Sequence, residues 1–162
     1  MAHEDIILKQ FEAGDAAWVA QRHGVLYAEH DGFDDSFEPL VASILAKFLT
    51  DHDPALERGW VAWEGEKRVG CIFCVKLDAG TAKLRMFLLE PVMRGRGLGK
   101  RLLAQCIGFA REAGYQSMTL RTHESHAAAC ALYARNGFAC VESKKVRSFG
   151  QDLVEQTWTT AL

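Results

Sequence analysis

Residues 90–100 read Glu-Pro-Val-Met-Arg-Gly-Arg-Gly-Leu-Gly-Lys, EPVMRGRGLGK, three glycines alternating with large side chains. Ahead of them lies the apolar run FLLEP, and behind them LGKRLLAQCIGFARE repeats its apolar residues at helical spacing. The expected order is a strand, a tight turn and a helix, with the glycines where a helix N-terminus presents unpaired N–H groups. Such a place suits a phosphate.

Working outward, Leu98, Leu102, Cys106, Phe109, Ala110 and Ala113 mark one helix that ends at Gly114, a favoured residue just past a helix end. Upstream, WVAWE, RVGCIFCVKL and TAKLRMFLLEP are separated by Gly65-Glu66-Lys67 and Asp78-Ala79-Gly80, which reads as an antiparallel meander. Before the meander come a strand in residues 5–11 (DIILKQF) and a helix opening at Gly14-Asp15. That helix carries Trp18, Val19, Arg22, Leu26 and Tyr27 on one face and breaks at His30-Asp31-Gly32. A second helix is expected from about Ser36 to Leu49, stopped by Asp51, Asp53 and Pro54. Downstream lie a short strand in SMTLRT, a helix over 126–136 that ends at Gly137, and strands in Phe138–Ser143 and Asp152–Thr160. Parallel pairing can arise only where a helix crosses over, around 97–140. The expectation is an α/β (α+β) fold: a central mixed, mostly antiparallel sheet of about seven strands flanked by about four helices.

The chain has 162 residues, 49% of them apolar, enough for one core, and residues 1–162 read as a single domain. The formal net charge of -2 offers no excess of positive charge for a nucleic-acid backbone, and Lys and Arg cluster only around 94–101 and 144–147. The five cysteines are odd in number and sit mostly in apolar stretches, as reduced core cysteines do, which fits a cytoplasmic protein. Cys71 and Cys74 form a C-x-x-C, but on a strand residues three apart point to opposite faces, so neither a metal nor a redox pair is expected. The stretch MAHEDIILKQFEAGDAAW lacks the basic start and apolar core of a signal peptide. No apolar run approaches the ~20 residues of a membrane span.

Two familiar phosphate motifs fail at the glycine loop. A Walker A loop counted back from Gly99-Lys100 would put Arg94 at its first glycine and Arg101 at its hydroxyl. A dinucleotide fingerprint starting at Gly95 would need a glycine or alanine at Lys100. What remains is Arg94-Gly95-Arg96-Gly97-Leu98-Gly99, directly after a strand ending in Pro91. In this the chain resembles the GNAT superfamily of acetyl-coenzyme A dependent N-acetyltransferases, whose pyrophosphate loop has that pattern and setting. A second likeness is AACALYARNGF, residues 128–138: Ala129, Leu132, Tyr133, Gly137 and Phe138 match the family segment, while His126 stands where Asn is usual. The stretches RHGVLYAEHDGFDDSFEPLVASILAKF and SFGQDLVEQTW are similar to the acetyltransferase half of bacterial proteins that fuse it to a MarR-type DNA reader. Met1 leads directly into the first expected strand, so the chain reads as a free-standing or excised enzyme domain.

The resemblance implies direct attack of an amine on the acetyl thioester, without an acyl-enzyme, so the cysteines are not needed as nucleophiles. It implies that acetyl-coenzyme A is held by the main chain of Leu88 and Leu89, by Arg94, Gly95, Arg96, Gly97, Leu98, Gly99 and Lys100, and by His126 and Tyr133. The Leu89 N–H would polarise the acetyl carbonyl, and Tyr133 would protonate the departing thiolate; packing is the competing reading for both side chains. For a general base, Glu29 is the first candidate, among His30, Asp34, His23, Tyr27 and Glu90. His123, Glu124 and His126 lack the spacing of a zinc motif, and no metal is expected.

The expected acceptor is a small-molecule or protein amine, with no nucleic acid and no membrane as partner. The acids Glu29, Asp31, Asp34 and Asp35 lean toward a cationic amine. Monomer and homodimer both stay open, since the last strand could pair with another chain's. A regulatory module that binds acetyl-coenzyme A with little turnover is the alternative. A DNA-binding factor would need a basic reading helix, and none is found.

Overall fold

Alternation, turn chemistry and helix stops produce eleven regular elements: β1 (Ile6–Gln10), α1 (Ala16–Asp31), α2 (Phe37–Asp51), β2 (Arg58–Glu64), β3 (Lys67–Lys76), β4 (Thr81–Leu89), α3 (Leu98–Glu112), β5 (Ser117–His123), α4 (Ala127–Arg135), β6 (Ala139–Ser148) and β7 (Gln151–Ala161). The structure, a computed structural model, describes residues 5–162. The strands hydrogen-bond in the order β1-β2-β3-β4-β5-β7-β6 as a mixed seven-stranded sheet, accompanied by four α-helices, as expected from the sequence. The residues group into two compact units: residues 5–11, 53–118 and 162 in the first, 12–52 and 119–161 in the second.

The first unit is built on the meander. β3 is buried on both faces from Val69 to Cys74, which is why its sequence is a continuous apolar run rather than an alternation. One face meets α3: a Cβ placed on Gly70 would touch Leu98 and Leu102. The other carries Phe73, whose ring packs edge-on against Phe11 at 4.8 Å. The Cys106 thiol is pushed well up by its hydrogen bond with Cys74 and by burial, and the two buried side chains meet between β3 and α3. Cys74 therefore faces α3, while Cys71, paired with Leu88, shares the face of Phe73. The C-x-x-C residues point apart, as the strand reading requires.

Pairing of β3 with β4 is broken once. Cys71 pairs with Leu88 and Phe73 with Arg85, so two steps on β3 match three on β4. The extra residue is taken up at Met86, whose φ is 50°, and the Cys71 thiol donates to the Met86 carbonyl at 3.1 Å.

The second unit contains α1 and α2, joined through Gly32 in the left-handed conformation, and the long β6–β7 hairpin. The sequence reading ends the first hairpin strand at Ser143, whereas β6 continues to Ser148. The turn is Phe149-Gly150 with φ of 54° and 78°, a two-residue connection in which both residues are left-handed. Phenylalanine is an unfavourable residue for that role. Its ring lies 4.8 Å from both Phe33 and Phe37, and its carbonyl accepts from the Asp34 N–H at 3.0 Å, so tertiary contacts hold the turn.

His23 lies on α1 beside the same aromatic cluster, 2% exposed. Its Nδ1–H donates to the Val19 carbonyl at 2.7 Å, and Nε2 is buried without a partner. Burial lowers its pKa from 6.5 to about 4. The folded chain thus holds His23 neutral while the unfolded chain takes up a proton below pH 6.5, so stability is full above that pH and declines as pH falls toward 4. The expected loss is about 3 kcal/mol. Urea unfolding at pH 7 and pH 4 should show it in the wild type and not in His23→Leu.

Candidate active site

The glycine loop belongs to the first unit. After β4, Pro91–Met93 makes one 3-10 turn, Arg94 to Gly97 form exposed turns, and α3 begins at Leu98. Buried Met93 and Leu98 anchor the two ends of this exposed stretch. Gly95 and Gly97 have φ of 76° and 79°, and nothing lies within 4 Å of a Cβ built on either. Gly97 is the N-cap of α3; it offers no side-chain cap, and the first turn holds no acid. The first amides of α3 therefore have neither a side-chain cap nor a first-turn acid, and they lie at the positive end of the helix dipole. Of the basic residues here, Arg96 donates to Glu64 at 2.6 Å and Arg101 to the Ile6 carbonyl. Arg94 and Lys100 are exposed and make no ion pair among the described residues. The loop therefore offers amides and two uncommitted cations to an anion.

The end of β4 prepares a second feature. The Glu90 N–H donates to the Val69 carbonyl at 2.9 Å, and Leu89 is the register partner of Gly70. Successive amides of a strand point to opposite edges, so the Leu89 N–H points away from β3. Leu88 is buried on the Phe73 face, and its side chain is core.

In the second unit, Tyr133 on α4 is 4% exposed, with Phe138 and Trp158 rings at 5.7 and 6.4 Å. His126, the N-cap of α4, is held by Asp31: its Nε2 lies 2.9 Å from Oδ2, with side chains 24% and 6% exposed. Glu29 is exposed near the end of α1. His123 is lowered by burial and then by neighbouring His126, and its Nδ1 is buried without a partner. Among the described residues, no group of three or more His, Cys, Asp or Glu is placed to hold a metal ion.

A profile of the acetyltransferase (GNAT) family matches residues 14–138, spanning the glycine loop and all of α4. The chain belongs to the acetyltransferase (GNAT) family. Among GNAT relatives, N-acetyltransferase 8B of Rattus norvegicus is 31% identical over 103 residues, 60% of this chain and 45% of that protein. The chain spans about half the length of the curated relatives it matches. A GNAT acetyltransferase from Streptococcus pneumoniae superposes with a TM-score of 0.75 at 17% identity, covering 98% of this chain and 100% of that one. One from Elizabethkingia anophelis, solved with acetyl-CoA bound, superposes at 0.69 and 16% identity, covering 98% and 99%. These structures establish the GNAT fold.

Within that fold, the residues picked from the sequence divide by unit: the glycine loop with Leu88 and Leu89 in the first, Tyr133, His126 and Glu29 in the second. The carboxylate that His126 engages is Asp31, one of the four acids expected to favour a cationic amine. Asp34 is committed as well, accepting from the Ser36 N–H and hydroxyl just before α2, contacts that lower its pKa. Arg85, not singled out from the sequence, was visible as a charge inside the apolar strand LRMFLL.

Proposed function

We propose that the chain moves an acetyl group from acetyl-coenzyme A directly to a primary amine, with both substrates bound together. The observation that carries this reading is the α3 start: uncapped amides, two left-handed glycines with open space at their Cβ positions, and uncommitted Arg94 and Lys100. These residues fit a pyrophosphate, with Gly95, Arg96, Gly97, Leu98 and Gly99 contributing main chain and the cations contributing charge. When bound, the coenzyme supplies an acetyl group activated as a thioester. The Leu89 N–H, turned from β3, is assigned to the carbonyl oxygen, where it would stabilise charge as the amine adds. Main chain of Leu88 and Leu89 is assigned to the pantetheine arm, and His126 is assigned to the coenzyme as well.

Tyr133 is assigned as the acid that gives its proton to the departing sulfur; a phenol near pKa 10 suits a thiol of similar basicity. Tyr133→Phe should lower kcat by about 100-fold while leaving the Kd of acetyl-coenzyme A unchanged. Steady-state rates beside a binding titration check this; an unchanged kcat would return Tyr133 to a packing role. Glu29, exposed near the end of α1, is assigned as the carboxylate that accepts the amine's proton. The five free cysteines, three of them buried, suit a reducing compartment, and we place the protein in the cytoplasm.

A second reading is a coenzyme-sensing module with little turnover, akin to the MarR-type fusions. It is favoured by His126 standing where the family has Asn and being tied to Asp31. Acetyl-coenzyme A binding without transfer to any of a broad panel of amines would select it; transfer to one amine at an enzymatic rate would select the first.

A further inference from the structure

Arg85 sits in the middle of β4, between Leu84 and Met86, half-buried. Its register partner is Phe73, so its side chain leaves the strand on the face away from α3. The bulge at Met86 puts Leu88 on that same face, although it is three residues further on. Other arginines of this unit that are not fully exposed have partners, although the Arg58 Nε is itself buried without a hydrogen bond among the described residues. Arg96 pairs with Glu64, Arg68 lies 4.5 Å from the Trp63 ring centre, and Arg58 lies 4.7 Å from that of Phe109 and donates to the Pro54 carbonyl. Arg85 alone among these four has no hydrogen bond, ion pair or ring contact among the described residues. Burial lowers its pKa with no opposing contribution from a nearby acid.

Partial burial of an unpaired charge is costly, and a counter-charge arriving from outside would offset that cost. The guanidinium is a planar fork that matches a carboxylate with two parallel hydrogen bonds, and a single cation balances a single negative charge. Along the strand Arg85 lies about 13 Å before Leu89, whose amide is assigned to the acetyl carbonyl. The coenzyme's phosphates have their own place beyond the other end of that stretch, at the α3 start. A ligand reaching Arg85 therefore belongs to the acceptor side. We propose that Arg85 anchors a carboxylate on the amine acceptor, so that the substrates are amino acids or similar amino-carboxylates. This rests on the acetyl-transfer reading above and narrows the lean toward a cationic amine, one of whose four supporting acids, Asp31, is engaged by His126.

The test compares L-amino acids with their primary carboxamides as acceptors, a change that removes only the charge. The wild type should prefer at least one acid over its amide by about 10-fold or more in kcat/KM, and Arg85→Met should collapse that ratio toward one. Arg85→Lys should recover part of the preference. Melting temperature separates this from a structural role: Arg85→Met removes an unpaired charge and should match or exceed the wild type, whereas loss of a structural arginine would lower it. In parallel, N-acetyl-amino acids are titrated into the coenzyme A-loaded protein, with binding expected in the wild type and lost in Arg85→Met. Amides as good as acids, or a preference that survives Arg85→Met, would overturn the proposal and leave acetyl transfer standing. Arg85-dependent binding of N-acetyl-amino acids with no transfer to any amine would keep the carboxylate site and overturn the enzymatic reading instead.

Discussion

Gly97→Glu should raise the Kd for acetyl-coenzyme A by at least about 100-fold, the effect expected when a fixed carboxylate occupies an anion site. Gly97 caps α3 with φ of 79°, and the space where its Cβ would stand is open. A glutamate there points its charge at the amides assigned to the pyrophosphate and repels the phosphates as well as displacing them. The fold should survive, because a negative charge at a helix start is favourable and the left-handed strain costs only about 1–2 kcal/mol. Gly97→Ala isolates the strain: it carries the same backbone penalty without the charge, and its affinity should fall by less than about 10-fold. Calorimetric titration of the three proteins distinguishes these cases. Equal losses in both variants would mean that loop geometry alone controls binding.

Gly59→Ala should destabilise the chain by about 3 kcal/mol through overpacking. Gly59 pairs with Phe73, and a Cβ there would stand 2.3 Å from that ring. The ring cannot withdraw, being 2% exposed and packed against Phe11. Trimming the neighbour should relieve the clash: Gly59→Ala with Phe73→Leu should be at least about 1 kcal/mol more stable than the sum of the single losses. Urea unfolding of the four proteins measures the coupling. Additive losses would contradict the packing described for this face of β3.

The sequence revealed elements with local causes. The meander was legible because Gly65-Glu66 and Asp78 to Gly80 are turn residues in their own right, and the Asp78 carboxylate indeed accepts from the Gly80 N–H at 3.0 Å. The start of α3 was legible because glycines just before a helical pattern have few other uses. Phe149-Gly150 was not, since its turn is held by Phe33 and Phe37, more than a hundred residues away in the chain. The bulge at Met86 was hidden for a related reason: no glycine marks it, and only the register between β3 and β4 exposes it. That one extra residue also decides which β4 side chains share a face, so the alternation read from the sequence could not assign Arg85 and Leu88 to the same side. The Asp31–His126 pair joins residues 95 apart, a distance over which charge patterning carries no information.

The most direct test follows the amides themselves, by titrating acetyl-coenzyme A into uniformly ¹⁵N-labelled protein and recording amide proton and nitrogen shifts. Gly95, Gly97, Leu98 and Gly99 should show the largest changes as the pyrophosphate takes their N–H groups, with Leu89 moving when the acetylated coenzyme replaces coenzyme A. Binding that leaves those four loop resonances in place, or no binding at all, would contradict the assignment of the EPVMRGRGLGK loop as the phosphate cradle.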